Sequence, residues 1–319
     1  MNLIEVKLFL QKHALGRFFL KCYRKLLSLP ILYLKAIGFY LIETRIVQPS
    51  FYNDDEVFEL IRSGRKSFAR FGDGEISWIY GDANGHFGQV NDRDMGQRLV
   101  KVLKSRTENL IIGIPNFFDS MQGYNWKRRL SRNGHMFSNY KRWNALVDSG
   151  YIYGDALLSR VYNGRTDKYV IENTFNSWLM VWRDRDVVIV EGEHTKFGVG
   201  NKLLENTNSV RRIIAPAENA FEHILWIKSA VEEVYSSDVL FLICLGPTAT
   251  ILAHDISIDG YQAVDIGHLD IEYEWYITSA KGKRAVRGKY VNEVGGQPLN
   301  HLASPLLDDY DQQIVSRYQ

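Results

Sequence analysis

Two acids stand two residues apart between glycines in the run Arg70-Phe71-Gly72-Asp73-Gly74-Glu75. A short apolar strand, Ser67–Phe71, is expected to end there. In extended backbone, side chains two positions apart point the same way. Two hard carboxylates on one side can hold Mg²⁺ or Mn²⁺, and the ion can bridge a diphosphate. Gly72 and Gly74 would let backbone and phosphate come close. Arg70 would add a fixed cation. The plainer alternative is a tight turn whose acids cap the next helix.

Three further stretches place polar chemistry where an apolar strand ends. Val187-Val-Ile-Val-Glu191-Gly192 runs into a turn with Gly198 and Asn201, and a helix is expected from Gly200. This is how anion sites at helix starts are often built, although the G-x-G-x-x-G spacing is incomplete. Phe241-Leu-Ile-Cys244-Leu-Gly246-Pro247-Thr248 ends another strand. Pro247 suits a helix's first turn, and Thr248 either meets a phosphate or caps the helix. Cys244 reads as a core residue. In Gly267-His268-Leu-Asp270-Ile-Glu272-Tyr-Glu274 the ionisable groups fall every second residue, so an extended run would gather them on one face. There they could deprotonate a sugar hydroxyl or grip one. A solvated acidic edge strand is the alternative.

The elements that must position these residues follow from the pattern of apolar runs. Strands are expected at Leu110–Ile114, Tyr151–Leu157, Val187–Glu191, Arg212–Ala215, Val239–Leu245 and Ala263–Ile266. Helices are expected at Glu56–Ser63, Arg93–Ser105, Lys141–Ser149, Phe175–Trp182, Gly200–Asn206, Ala220–Tyr235 and Thr248–Ile258. Such alternation predicts a parallel or mixed sheet covered by helices, with ligands at the carboxyl ends of the strands. The chain of 319 residues is 45% hydrophobic and 24% charged, too apolar for disorder and too charged for a polytopic membrane protein. Its two cysteines exclude a disulfide framework and a cysteine-based zinc cluster. No P-loop, G-x-S-x-G or H-E-x-x-H occurs. The basic aromatic stretch Trp126–Arg129 with Arg132 suits a solvated helix face or an anionic substrate better than nucleic acid.

Residues 1–50 carry a net charge of +6, and the remainder carries −4. Leu8, Phe9, Leu15, Phe18, Phe19 and Tyr23 recur at near-helical spacing among six basic residues. This predicts a basic amphipathic helical arm suited to an anionic membrane surface, or to packing on the body. From Leu26 to Ile42 the chain is nearly all apolar, but Pro30 and Lys35 interrupt it. That makes a poor spanning helix by this reading.

Taken in chain order, ARFGDGE, VVIVEGE followed by FGVGN, RRIIAPAENAF, LGPTATILAHD and DIGHLDIEYEW resemble the GT-D glycosyltransferases, bacterial enzymes first known as a domain of unknown function. The resemblance runs from about Phe51 to Asn292. It implies a Rossmann-like α/β sheet flanked by helices. It also implies transfer of a hexose, often glucose, from a UDP-sugar to a saccharide acceptor in surface polysaccharide or glycoprotein synthesis. The family's D-x-E element falls on Asp73 and Glu75, with Mn²⁺ or Mg²⁺ as cofactor, and its arginine falls on Arg70. Its His-x-Asp-x-Glu segment falls on His268, Asp270 and Glu272, with the base among them unassigned. A nucleotide-sugar site is expected at Arg70, Gly72, Gly74, Glu191, Gly192, Gly198, Gly246, Pro247 and Thr248. The expected layout is an arm over 1–50, a glycosyltransferase domain over 51–295 and a tail over 296–319. The expected location is the cytoplasm, at the inner face of the membrane through residues 1–45, with no nucleic-acid partner. The competing readings are a metal-dependent phosphohydrolase or nucleotidyltransferase, and a non-catalytic nucleotide-sugar-binding subunit.

Overall fold

Nine strands, all parallel, form one sheet in a computed structural model that describes residues 24–82, 89–294 and 304–319. The elements in chain order are α1 (Leu29–Ile42), β1 (Ser50–Phe51), α2 (Asp54–Arg62), β2 (Ser67–Arg70), α3 (Asp73–Ile79), α4 (Arg93–Leu103), β3 (Leu110–Ile114), α5 (Trp126–Leu146), β4 (Ile152–Asp155), α6 (Lys168–Val181), β5 (Asp186–Gly192), β6 (Ser209–Ala215), α7 (Ile224–Glu232), β7 (Leu240–Cys244), α8 (Pro247–Ile258), β8 (Gln262–Asp265), α9 (Leu269–Ile277), α10 (Ser304–Gln312) and β9 (Ile314–Arg317). Across the sheet the order is β1-β4-β3-β2-β8-β7-β5-β6-β9.

The central strands are apolar on both faces because helices cover both faces. Along β5, Val187 and Ile189 enter one core while Val188 and Val190 enter the other. The first core is shared by Val57 of α2, Trp178 of α6 and Leu269 of α9. The second is shared by Phe39 of α1, Leu99 of α4, Trp143 of α5 and Ile251 of α8. The result is an α/β/α sandwich, as the alternating pattern predicts. Residues 304–317 of the expected tail add a helix and the ninth strand, which pairs with β6.

Four local expectations are corrected. The run after Gly267 is helical, not extended. Leu269, Tyr273 and Tyr276 pack into one core while Ile271 and Trp275 pack into a separate cluster, a helical period that outweighs the alternation of acids. The segment Gly200–Asn206 is a succession of turns, not a helix. Helix α5 starts at Trp126, well before Lys141, with Asn125 accepting from the Arg128 amide as its cap. Finally, Pro30 and Lys35 do not interrupt the apolar stretch. Pro30 lies in the first turn of α1, directly after a π-helical turn over Arg24–Ser28, and Lys35 points outward. By length and composition Leu26–Arg45 is sufficient to cross a membrane. The amphipathic pattern expected over residues 8–23 lies outside the described residues.

Candidate functional site

The chain leaving β2 goes to β3 on one side, and the chain leaving β5 goes to β6 on the other. That divergence opens a crevice over the carboxyl ends of β8 and β7, between them. A cleft occupies this place. Its wall includes Gly72–Glu75 after β2, Gly192 at the end of β5, Leu245 and Gly246 before α8, and Gly267 and His268 after β8.

Asp73 and Glu75 reach the cleft from a helix, not from a strand. They lie in the first turn of α3, and Glu75 closes the cap by accepting from the Gly72 amide at 2.6 Å. The capping alternative is therefore the one adopted. Side chains two apart in a helix diverge, so the shared carboxylate face expected from extended geometry does not form. Asp73 is exposed to the cleft. Burial pushes the Glu75 carboxyl up to about 7, and the nearby Asp265 adds to the rise while backbone amides and Arg70 oppose it. Among the described residues no three His, Cys, Asp or Glu side chains gather as a metal nest. The donors present are hard oxygens. They fit a cation that takes most of its ligands from phosphate and water, with Asp73 beside it and Glu75 giving at most one oxygen.

Arg70 lines the cleft but is largely committed. Its Nε donates to the Asp265 carbonyl at 2.6 Å, Nη2 to Asp265 Oδ1 at 2.7 Å, and Nη1 to the Ala156 carbonyl and Ser159 Oγ. It ties β2, β8 and the end of β4 into one floor, and Asp265 neutralises it. A second arginine, Arg128, stands on the first turn of α5. Arg128 lines the cleft and has no ion pair among the described residues. It lies within the basic stretch whose reading includes a grip on an anionic substrate.

The helical form of α9 splits its ionisable groups into two sets. Asp270 accepts from Lys289 Nζ at 2.8 Å on both oxygens, from the Gly198 amide at 3.1 Å and from Asn201 Nδ2 at 2.7 Å. Lys289 is itself buried and also meets Glu274. Glu272 is fully buried and holds the Tyr162 and Asn163 amides at 2.9 and 2.6 Å. Both acids are thus held in place, Asp270 while lining the cleft and Glu272 with its second oxygen 3.7 Å from the cleft-lining Arg160. His268 faces the cleft, with Nδ1 at 3.3 Å from Glu293 Oε1. Burial, with help from Arg160, keeps its pKa below the ordinary value, against the pull of Glu293. Glu293 is held low despite its own burial, because His268, Arg160 and Lys283 surround it.

The remaining expected residues divide similarly. Gly192 and Gly246 line the cleft. Glu191 does not. It is buried in an ion pair with Arg212 at 2.6 Å and accepts from the Phe197 amide. Gly198 supports Asp270 from behind. Pro247 and Thr248 form the buried first turn of α8, and Thr248 Oγ1 has no hydrogen-bond partner among the described residues. Sequence reading missed Arg160 and Tyr290, which line the cleft, and Glu293, which pairs with Arg160 and His268 from a short 3-10 turn; no motif marks any of them.

A family model described as "Glycosyltransferase GT-D fold" matches residues 68–294. The chain is similar to Glycosyltransferase GlyD of Streptococcus pneumoniae serotype 4 (strain ATCC BAA-334 / TIGR4), 32% identical over 270 residues, 82% of this chain and 32% of that protein. It is 33% identical over 279 residues to Probable glycosyl transferase Gly of Streptococcus gordonii, 84% of this chain and 39% of that one. The chain thus spans about a third of the length of these two curated relatives. A solved structure of "the highly conserved domain of unknown function 1792", described as having "a distinct glycosyltransferase fold", superposes with a TM-score of 0.80. It has 31% identity and covers 88% of this chain and 99% of its own. "A New Glycosyltransferase" from Streptococcus sanguinis gives 0.78 at 29% identity, covering 85% and 100%.

Proposed function

The chain belongs to the GT-D glycosyltransferase family, and from that premise we propose that it moves a hexose from a UDP-sugar onto a saccharide acceptor in bacterial surface polysaccharide or glycoprotein synthesis. The observation that carries this reading is that one cleft joins Asp73, Arg128, Gly246 and His268 at the carboxyl ends of the strands. A nucleoside diphosphate gathers negative charge as the sugar–phosphate bond breaks. Arg128 meets that charge, and the positive, amino-terminal end of α8 begins beside the cleft-lining Gly246. A divalent cation, Mn²⁺ or Mg²⁺, would neutralise part of the same charge when held beside Asp73 and Glu75. His268, whose pKa burial lowers, is the side chain to accept the proton of an acceptor hydroxyl, since Asp270 is neutralised by Lys289 and Glu272 is buried on two backbone amides. The cytoplasm is the place for this chemistry, with residues 1–45 as the contact to the inner face of the membrane.

The test is a donor panel. Purified protein is incubated with UDP-sugars and other nucleotide sugars, with Mn²⁺ or with chelator, and released nucleotide and inorganic phosphate are measured. UDP release without phosphate, from a UDP-hexose and stimulated by metal, is expected. Arg128→Ala should raise the KM for that donor roughly ten- to a hundredfold, the worth of a charged hydrogen bond. Turnover with no UDP-sugar, or with phosphate release from UDP itself, overturns the reading.

A further inference from the structure

The outward face of α1 is apolar and uncovered among the described residues. Leu34 is 69% exposed, Ile37 64%, Tyr40 67% and Leu41 76%, and Leu26 and Leu27 continue the exposure upstream. A contiguous apolar face of this kind on an otherwise ordinary surface marks an interaction site. The inward face packs on α5. Ala36, Phe39 and Ile42 are buried, and the Arg132 guanidinium lies 4.8 Å from the Phe39 ring centre. Glycines let the two helices close. A Cβ on Gly38 would meet the Phe137 ring at 2.6 Å, and one on Gly134 would meet Leu32 at 2.5 Å.

The contacts also set direction. Leu32 meets Gly134, Gly38 meets Phe137, and Arg45 and Val47 meet Asn144. The two helices therefore run the same way. The first turn of α1 lies toward the end of α5 that carries Arg128 into the cleft.

We propose that α1 lies flat in the surface of an anionic lipid bilayer, with its bare face among the acyl chains and the cleft end of α5 beside the headgroups. Charge complementarity selects this occupant. Residues 1–50 carry +6, so a second copy docking through the same helix would bring like charges together. Anionic headgroups attract Lys7, Lys12, Arg17, Lys21, Arg24, Lys25 and Lys35. Packing selects the flat orientation. Leu26–Arg45 is long enough to span. A spanning pose, however, would carry α5, with Lys127, Arg128, Arg129 and Arg132, into hydrocarbon. The docking names a partner for the transferase proposed above, and it stands on α1, not on the cleft.

The test is cosedimentation of the full chain with vesicles of phosphatidylglycerol and phosphatidylcholine, or of phosphatidylcholine alone. Binding is expected to the anionic vesicles, and it should be roughly tenfold or more weaker on neutral vesicles and at high salt. Leu34→Asp with Leu41→Asp should abolish it. Leu225→Asp, on an equally bare residue of α7, should leave it unchanged, with circular dichroism confirming that each variant is folded. Failure of the wild type to bind, or equal binding by the double variant, overturns the proposal. So does light scattering that shows a dimer split by the double variant, because a second copy would then cover the face. Retention through an alkaline carbonate wash would mean a spanning helix and overturns it too. The vesicle assay contains no donor, so failure of the transferase reading would appear only in nucleotide release.

Discussion

His268 and Asp270 are two residues apart and do unlike work. Asp270 neutralises a buried lysine, so Asp270→Asn leaves Lys289 without its main counter-charge and should destabilise the fold by roughly 3–5 kcal/mol. His268→Asn should change the melting temperature far less but lower turnover roughly a hundredfold or more, the usual worth of a positioned base. Melting curves and initial rates on both variants check this. Equal effects on both measurements would refute the division. Asp155 supplies a pH signature at the same scale. It accepts from the Asn116 and Leu157 amides, and burial pushes it from 3.8 up to about 6. The folded state prefers its protonated form. Its contribution is therefore neutral below pH 3.8 and increasingly unfavourable as pH rises through 6. Asp155→Asn should gain on the wild type between pH 4 and pH 7, by up to about 3 kcal/mol. A stability difference that is the same at both pH values would refute it. The residue types at this site were legible in the sequence, but their commitments were not. Nothing in the string reveals that Lys289 waits nineteen residues away for Asp270.

Strands were the legible elements, because a fully apolar run of five such as Leu240–Cys244 has few other homes. Helix α9 was misread because its acids repeat every two residues while its apolar contacts repeat every four. Packing obeys the second pattern. Helix α3 hid behind its glycines, which suggested a loop and instead precede and enter a capped turn. The turn between β8 and α9 shows how tightly such joints are built. Gly267 has φ +47°, and a Cβ there would strike Arg70 Nη2. Gly267→Ala should strain the backbone and displace the guanidinium that ties β2 to β8. The expected outcome is a lower melting temperature together with a loss of donor binding, read by thermal shift with and without UDP. A variant indistinguishable from the wild type in both would show that the floor tolerates a moved Arg70.

At the scale of the molecule, the sandwich was foreseen but the order of its strands was not, since long-range pairings leave no local mark. The edge at β9 is one of these. Tyr310 covers Arg212, Gln313 Oε1 accepts from Arg212 Nε, and β9 hydrogen-bonds to β6. Removing residues 304–319 should open the buried Glu191–Arg212 pair to water and lower stability measurably in denaturant. An unchanged unfolding midpoint would refute that. A different consequence follows from the Arg70–Asp265 tie, which links positions 195 residues apart. On the ribosome, β2 emerges early and must wait for β8, so the floor of the cleft is missing while most of the protein is being made. Competence to bind comes late and all at once, and no nascent fragment lacking β8 can trap the donor.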